Sequence, residues 1–456
     1  MNFAVNTQIT EFLEETEQYM GQLDELQFDA AADFYDLLDE AADIATVHIE
    51  GIDPELRVML CDRRDKVIER VVDTLPSFTH LGEPLGIYTP AIQGYRTWSN
   101  AELMKDKGLA GYLLARGIGG NATMFFGTKP SDYPYLSELP DMDMLYENSD
   151  NIEAAYRRHL EEEREKMDIL ILHGMYPHTA AYLKLYKELQ PGGKVYCGLD
   201  MNSRWTKEIK WANSEAKEFA DMCDVTATSC RSVRDMLNRR ADVNFACHWL
   251  PNGFYNPSNM PIVADPGIKE NVILTVARLG IPEKNNVELL AGFAEAAKSK
   301  ALDGWTLRLV GPIEPMFEAS LSGFFKEYPN MKGRVIFTGQ ITDKAELYAE
   351  YAKAKIFALT SRVEGGTPNV YAEALFHGCM FITSNIDAAD DITNYEQLGK
   401  TYKFGDVPAL VRTITKMCKN ADISEMQRHI PKALEYAARY YDWNRNAKKL
   451  AYMLFK

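Results

Sequence analysis

Short apolar runs alternate with helix-patterned segments twice along the chain, and a proline-rich stretch separates the two series. That alternation restricts the fold more than any other feature. A strand returning parallel to its neighbour needs a crossover of a dozen or more residues, usually a helix, so the pattern predicts two parallel α/β sheets. The first series runs through Leu85 to Ala91, Ala122 to Phe126, Asp168 to His173, Lys194 to Asp200, Val225 to Ser229 and Cys247 to Gly253. The second runs through Val272 to Ala277, Trp305 to Val310, Val335 to Thr338, Ile356 to Thr360 and Phe381 to Ser384. At 456 residues, more than one core is expected.

The first eighty or so residues follow a different rule. Ile9, Phe12, Leu13, Leu23, Leu26, Phe34, Leu37, Leu38, Ala41 and Ile44 recur at helical spacing among acidic residues, and Asp53-Pro54 precedes a further helix. The expected organisation is an acidic helical extension (1–80), a Rossmann-like domain (81–256), a linker (257–269) with an Asp-Pro-Gly turn, a second Rossmann-like domain (270–432), and C-terminal helices (433–456) that return to the first domain. The extension is either a surface for self-association or a partner protein, or a helical layer packed on the first sheet.

A formal net charge of −16 argues against docking on nucleic acid or an anionic membrane through bulk electrostatics. With no signal-peptide pattern and no bilayer-length apolar run, the expected location is cytoplasmic, or peripheral at the inner membrane face. The seven cysteines are scattered without a C-x-x-C pair, so they read as small buried hydrophobes. Asp141-Met-Asp143 has the Asp-x-Asp pattern of some metal sites, but its setting reads as a solvated loop, and no metal is expected.

The chemistry is expected in the second domain. The apolar run ending at Thr360 passes through Glu364, Gly365, Gly366 and Thr367 into an Ala/Leu-rich helical segment containing Glu373. Such a turn presents free N–H groups and the positive end of a helix dipole, which suit phosphate, while carboxylates accept from sugar hydroxyls. Arg278 ends the first strand of this domain and Lys284 follows it, two cations placed to stabilise a departing diphosphate. In the first domain, His173 ends a strand, Asp200 ends the next, and the loop with Gly94, Tyr95, Arg96 and Trp98 could close over phosphate or acceptor.

Arg278 with Lys284, Val310-Gly311-Pro312, Phe337 to Ile341, Ser361 to Glu373, and Leu250-Pro-Asn252-Gly253 resemble, in order and rough spacing, the motifs of family 4 glycosyltransferases. The resemblance covers about Leu85 to the C-terminus. It implies the GT-B fold, two Rossmann-like domains facing across a cleft. It also implies a retaining, metal-independent transfer from a nucleotide diphosphate sugar, a UDP-sugar foremost, to a glycan, lipid-linked or protein acceptor, with no cofactor. By motif position Arg278 and Lys284 would contact the diphosphate, Glu373 the ribose and Glu364 the sugar. Gly365, Gly366, Thr367, Gly311 and Asn252 would line the donor, with Ile341 against the base.

Two departures stand out. Eight residues separate Glu364 from Glu373 where the family commonly has seven, and Asp200 stands where it often carries histidine. They keep open a non-catalytic GT-B protein that binds a glycan or a partner transferase. A nucleotide-sugar epimerase or a glycan phosphorylase is a further alternative on the same plan.

Overall fold

The computed structural model describes residues 2–47, 52–75, 84–90, 92–93, 96–97, 103–126, 134–146, 151–211, 213–257 and 260–456. The chain divides into two compact units, one of Met1–Pro257 with Asp442–Lys456, the other of Ser258–Tyr441.

In the first unit the strands are β1 (Gly86–Pro90), β2 (Ile92–Gln93), β3 (Arg96–Thr97), β4 (Asn121–Phe126), β5 (Met142–Tyr146), β6 (Ile169–His173), β7 (Lys194–Leu199), β8 (Val225–Thr228) and β9 (His248–Trp249). Seven of them form one sheet in the order β5-β4-β1-β6-β7-β8-β9, and every pairing in it is parallel. The order reverses direction at β1, so the carboxyl ends of β1 and β6 mark a switch point where open sheets bind ligands. β2 and β3 make a separate antiparallel pair. Met142 is buried while Asp141 and Asp143 are exposed. The Asp-x-Asp segment therefore opens an edge strand instead of lying in a loop, because its apolar side faces inward with period two.

The N-terminal helices Asn2–Gly21, Phe28–Val47 and Pro54–Thr74 share the first sheet's core and do not form a separate body. Asp53 caps the third of them, accepting from the Glu55 amide at 2.9 Å with Pro54 in the first turn. Leu13, Phe34 and Leu38 are buried with Leu109, Leu113 and Leu450. Leu37 and Ile44 instead face solvent at 54% and 49% exposure, because the buried stripe of their helix follows Ala31, Tyr35, Leu38, Ala42 and Ala45.

Ion pairs inside the protein tie these helices to the sheet. Arg64, fully buried, donates to Asp39 at 3.0 Å and to the Cys247 carbonyl at 2.9 Å. Asp65 accepts from Arg234 at 2.6 Å and from the Trp249 amide at 3.2 Å. Burial works against the Arg234 charge, but Asp65, Asp235 and Asp62 outweigh it and hold its pKa well above the ordinary value.

The second unit is a six-stranded parallel sheet of β10 (Glu270–Val276), β11 (Thr306–Val310), β12 (Val335–Gly339), β13 (Ala354–Leu359), β14 (Met380–Ser384) and β15 (Gly399–Tyr402). Its order is β12-β11-β10-β13-β14-β15. The expected linker is mostly part of this unit. Lys269, 8% exposed, donates to the carbonyls of Tyr351 (3.1 Å), Ala354 (2.6 Å) and His377 (2.7 Å), which fixes the entry to β10. Lys269→Met should cost about 1–3 kcal/mol by leaving those buried acceptors unsatisfied. Calorimetric unfolding checks it; an unchanged transition would mean that water replaces the ammonium.

The boundary expected at residue 433 also moves. Helix Ile423–Tyr440 belongs to the second unit, since Met426 and Ile430 lie in its core. Only helix Trp443–Phe455 packs in the first unit, through Ala447 and Leu450. None of the seven cysteines is in a disulfide; six are buried and Cys223 is partly exposed. Among the described residues no helix is long and apolar enough to cross a membrane.

Candidate functional site

At the carboxyl edge of the second sheet, three loops are stitched together by backbone geometry. Gly311, just past β11, has φ 140°, and a Cβ there would meet the Ala277 carbonyl oxygen at 1.8 Å. Only glycine lets the ends of β10 and β11 approach so closely. The Leu279 amide donates to Pro312 at 2.8 Å, and the Asn286 side chain accepts from the Gly280 amide at 2.9 Å. The turn at Ile281 to Asn285 is thereby held, with Asn285 left-handed at φ 47°.

The turn after β13 is bound to that one. Thr360 donates to the Asn285 carbonyl at 3.0 Å, and the Arg362 amide donates to Glu283 at 2.7 Å. Lys284 and Glu364 consequently meet, the ammonium lying 2.5 and 2.6 Å from the two carboxylate oxygens. Their side chains are only 20% and 12% exposed. Gly366, at φ 117°, then takes the chain through a conformation that other residues avoid. Thr367 is buried, and helix Asn369–Phe376 begins at Pro368 with no side-chain cap. Its first amides and dipole are directed at the turn.

Arg278 sits exposed at the end of β10 and makes no ion pair or side-chain hydrogen bond among the described residues. Ile341, half-buried, lies in the loop after β12. Glu373 is engaged elsewhere than Glu364. Tyr351 donates to it at 2.7 Å, and the Lys344 ammonium is 3.6 Å away. Burial and the Glu373 charge hold the Tyr351 hydroxyl in its protonated, donating form. Tyr351 and Lys344 were missed from sequence. Lys344 opens helix Lys344–Lys353 and Tyr351 ends its apolar face, so neither stands out from ordinary helix residues. The Asn285-Asn286 pair was a turn signal that could have been read.

In the first unit His173 and Asp200 come from adjacent parallel strands, with His173 in register with Gly198. Asn252 follows β9, two strands beyond β7. Gly94, Tyr95 and Trp98 lie outside the described residues, and Arg96 is in β3. The His173 side chain is 6% exposed, 4.0 Å from Asp106. Burial drives its pKa down to about 4, against an opposing pull from Asp106. His178 is also lowered by burial. Neither ring is cationic at neutral pH. Among the described residues no group of three or more His, Cys, Asp or Glu could hold a metal ion.

His377 is likewise pushed down to about 4 by burial. Because the folded pKa lies below the unfolded value, the stabilisation from these two histidines is complete above about pH 6.5 and fades as pH falls toward 4. The loss between pH 7.5 and 5 should be roughly 2 kcal/mol for each. Thermal midpoints across that range check it. His248, His429 and His178 are lowered as well and add to the slope, so His173→Gln should remove only its own share, roughly 2 kcal/mol, and an unaltered slope would contradict the assignment.

Residues 270–420 match the sequence model of the family described as "Glycosyl transferases group 1". No match was found among curated proteins. Among solved structures the chain is similar to a glycosyltransferase from Rickettsia africae, at 12% identity and TM-score 0.59, covering 81% of this chain and 97% of that one. It is also similar to sucrose-phosphate synthase from Thermosynechococcus elongatus, at 18% and 0.58, covering 80% and 97%. Anabaena Alr3699/HepE, solved in complex with UDP-glucose, aligns at 13% and 0.56, covering 80% and 98%. The fold is GT-B with an N-terminal helical region, and the second unit carries, over residues 270–420, the match to glycosyl transferases group 1.

Proposed function

We propose that the protein is a glycosyltransferase that moves a sugar from a nucleotide diphosphate sugar, a UDP-sugar foremost, to a glycan, lipid-linked or protein acceptor. Transfer proceeds with retention and without a metal ion. The observation that carries this reading is the Lys284–Glu364 pair beside the Gly365-Gly366 turn, at the start of a helix inside the segment that matches the family. Anabaena Alr3699/HepE, of the same fold, was solved with UDP-glucose, which supports the choice of donor.

The roles follow from charge. When the bond between sugar and diphosphate breaks, its electron pair stays on the phosphate oxygen. Arg278, Lys284 and the amides at Gly366 and Thr367 offset that charge. Lys284 turns from Glu364 to the phosphate, and Glu364 is left to accept from a sugar hydroxyl. Glu373, held by Tyr351, accepts from the ribose, with Ile341 against the base and Gly311 giving the phosphates room. Asn252 and Gly94 of the first unit complete the donor side, while Asp200 and His173 serve the reacting sugar and acceptor, where neutral His173 can exchange hydrogen bonds without adding charge.

Incubation with UDP-, GDP- and ADP-sugars, with and without chelator, tests the proposal through release of nucleotide diphosphate. NMR of the product reads its anomeric configuration. Release that survives chelation, with retained configuration, is expected. The absence of turnover together with measurable glycan binding would favour the non-catalytic reading, which the eight-residue spacing and Asp200 keep in view.

A further inference from the structure

The second unit has a cavity of about 490 Å³ at the opposite edge of its sheet, where β14 and β15 begin at Met380 and Gly399. The glycine turn follows the carboxyl end of β13, so the cavity is separate from the donor loops. Its volume is within the range that holds a small ligand.

Its charges are unevenly matched. Lys400 is paired with Glu396 at 3.0 Å and Arg428 with Glu425 at 2.5 Å. Asp422 is occupied in capping helix Ile423–Tyr440, accepting from the Glu425 amide at 2.8 Å. Lys416 and Lys419 also line the cavity and stand beyond ion-pair and hydrogen-bond distance of the other described residues, with Lys416 near enough to Glu396 to add to the pull of Lys400 on that carboxyl. They are three residues apart on helix Val407–Asn420, so both ammonium groups reach the same face. The wall next to them is unusual in its backbone. Asn394, Tyr395 and Glu396 are consecutively left-handed, at φ 45°, 52° and 63°. Non-glycine residues seldom adopt this conformation, and such strain gathers at binding sites.

We infer that this cavity is a second ligand site, for a small phosphorylated sugar. Lys416 and Lys419 take the phosphate as two point charges. Asn420 and Gln397 offer amides to hydroxyls, and Met380 and Leu398 supply an apolar floor. A neutral glycan fits less well, because sugar rings of that kind want an exposed aromatic face. The one aromatic ring lining the cavity, His429, is buried and bonded to the Cys379 carbonyl at 3.0 Å. The inference stands apart from the proposed transfer reaction.

Calorimetry on the full chain with glucose 6-phosphate, glucose and inorganic phosphate tests it. Glucose 6-phosphate should bind at least about tenfold more tightly than either of the others. Lys416→Ala/Lys419→Ala should weaken it at least about tenfold; both lysines are exposed, so the fold is retained. Lys284→Ala should leave it unchanged. No heat with glucose 6-phosphate, equal affinity for inorganic phosphate, binding undiminished in the double variant, or binding lost in Lys284→Ala would each overturn the inference.

Discussion

Lys284→Ala should reduce turnover by about 10²- to 10³-fold while the protein remains folded. Losing one preorganised group that faces charge developing in a transition state costs about 2.7–4 kcal/mol. Lys284 also neutralises Glu364 at 2.5 and 2.6 Å, so its removal leaves a carboxylate beside the incoming diphosphate. Donor affinity should therefore fall together with turnover. A double substitution, Lys284→Ala with Glu364→Gln, separates the two effects, because it removes the repulsion without restoring the cation. Recovered donor binding with turnover still low is expected. Undiminished turnover in Lys284→Ala would remove Lys284 from the reaction.

Asp65→Ala should have the largest effect on stability. The carboxylate serves Arg64 and Arg234 together, and both guanidinium groups are essentially out of water. Taking one partner from such a cluster leaves buried charge uncompensated, at a cost of about 3–5 kcal/mol. For a domain whose total stability is about 5–15 kcal/mol, that is a large fraction. Calorimetry should show the first unit melting roughly 6–20 °C earlier while the second is unmoved. Asp65→Asn, which keeps one acceptor oxygen and loses the charge, should fall between Asp65→Ala and the parent. A midpoint within about 2 °C of the parent would show that Asp39, Asp62 and Asp235 suffice for both arginines.

The N-terminal helices show where local pattern stops being informative. Their apolar spacing foretold helices, and three are there. Whether those helices formed a separate extension or a layer on the sheet depended on Arg64, Asp65 and Arg234, residues 169 apart in sequence in the case of Arg234 and Asp65. Charged side chains in a sequence read as solvated because most are. The same limit hid Tyr351 and Lys344, whose link to Glu373 joins two separate helices. It also hid Lys269, a lysine at the end of a proline-rich stretch that is bonded to three carbonyls.

By itself the sequence determined the two parallel α/β sheets, since alternating short apolar runs and amphipathic helices have few other ways to bury both faces. It also determined the glycine turn before Glu373, because the positive φ at Gly366 is a local demand that glycine meets without strain. Tertiary structure alone decided the pairing of Lys284 with Glu364, eighty residues apart. It also decided that helix Ile423–Tyr440 stays with the second unit while Trp443–Phe455 joins the first. An ion pair or a packed helix face depends on what the rest of the chain brings beside it, and that is set only when the strands have found their order.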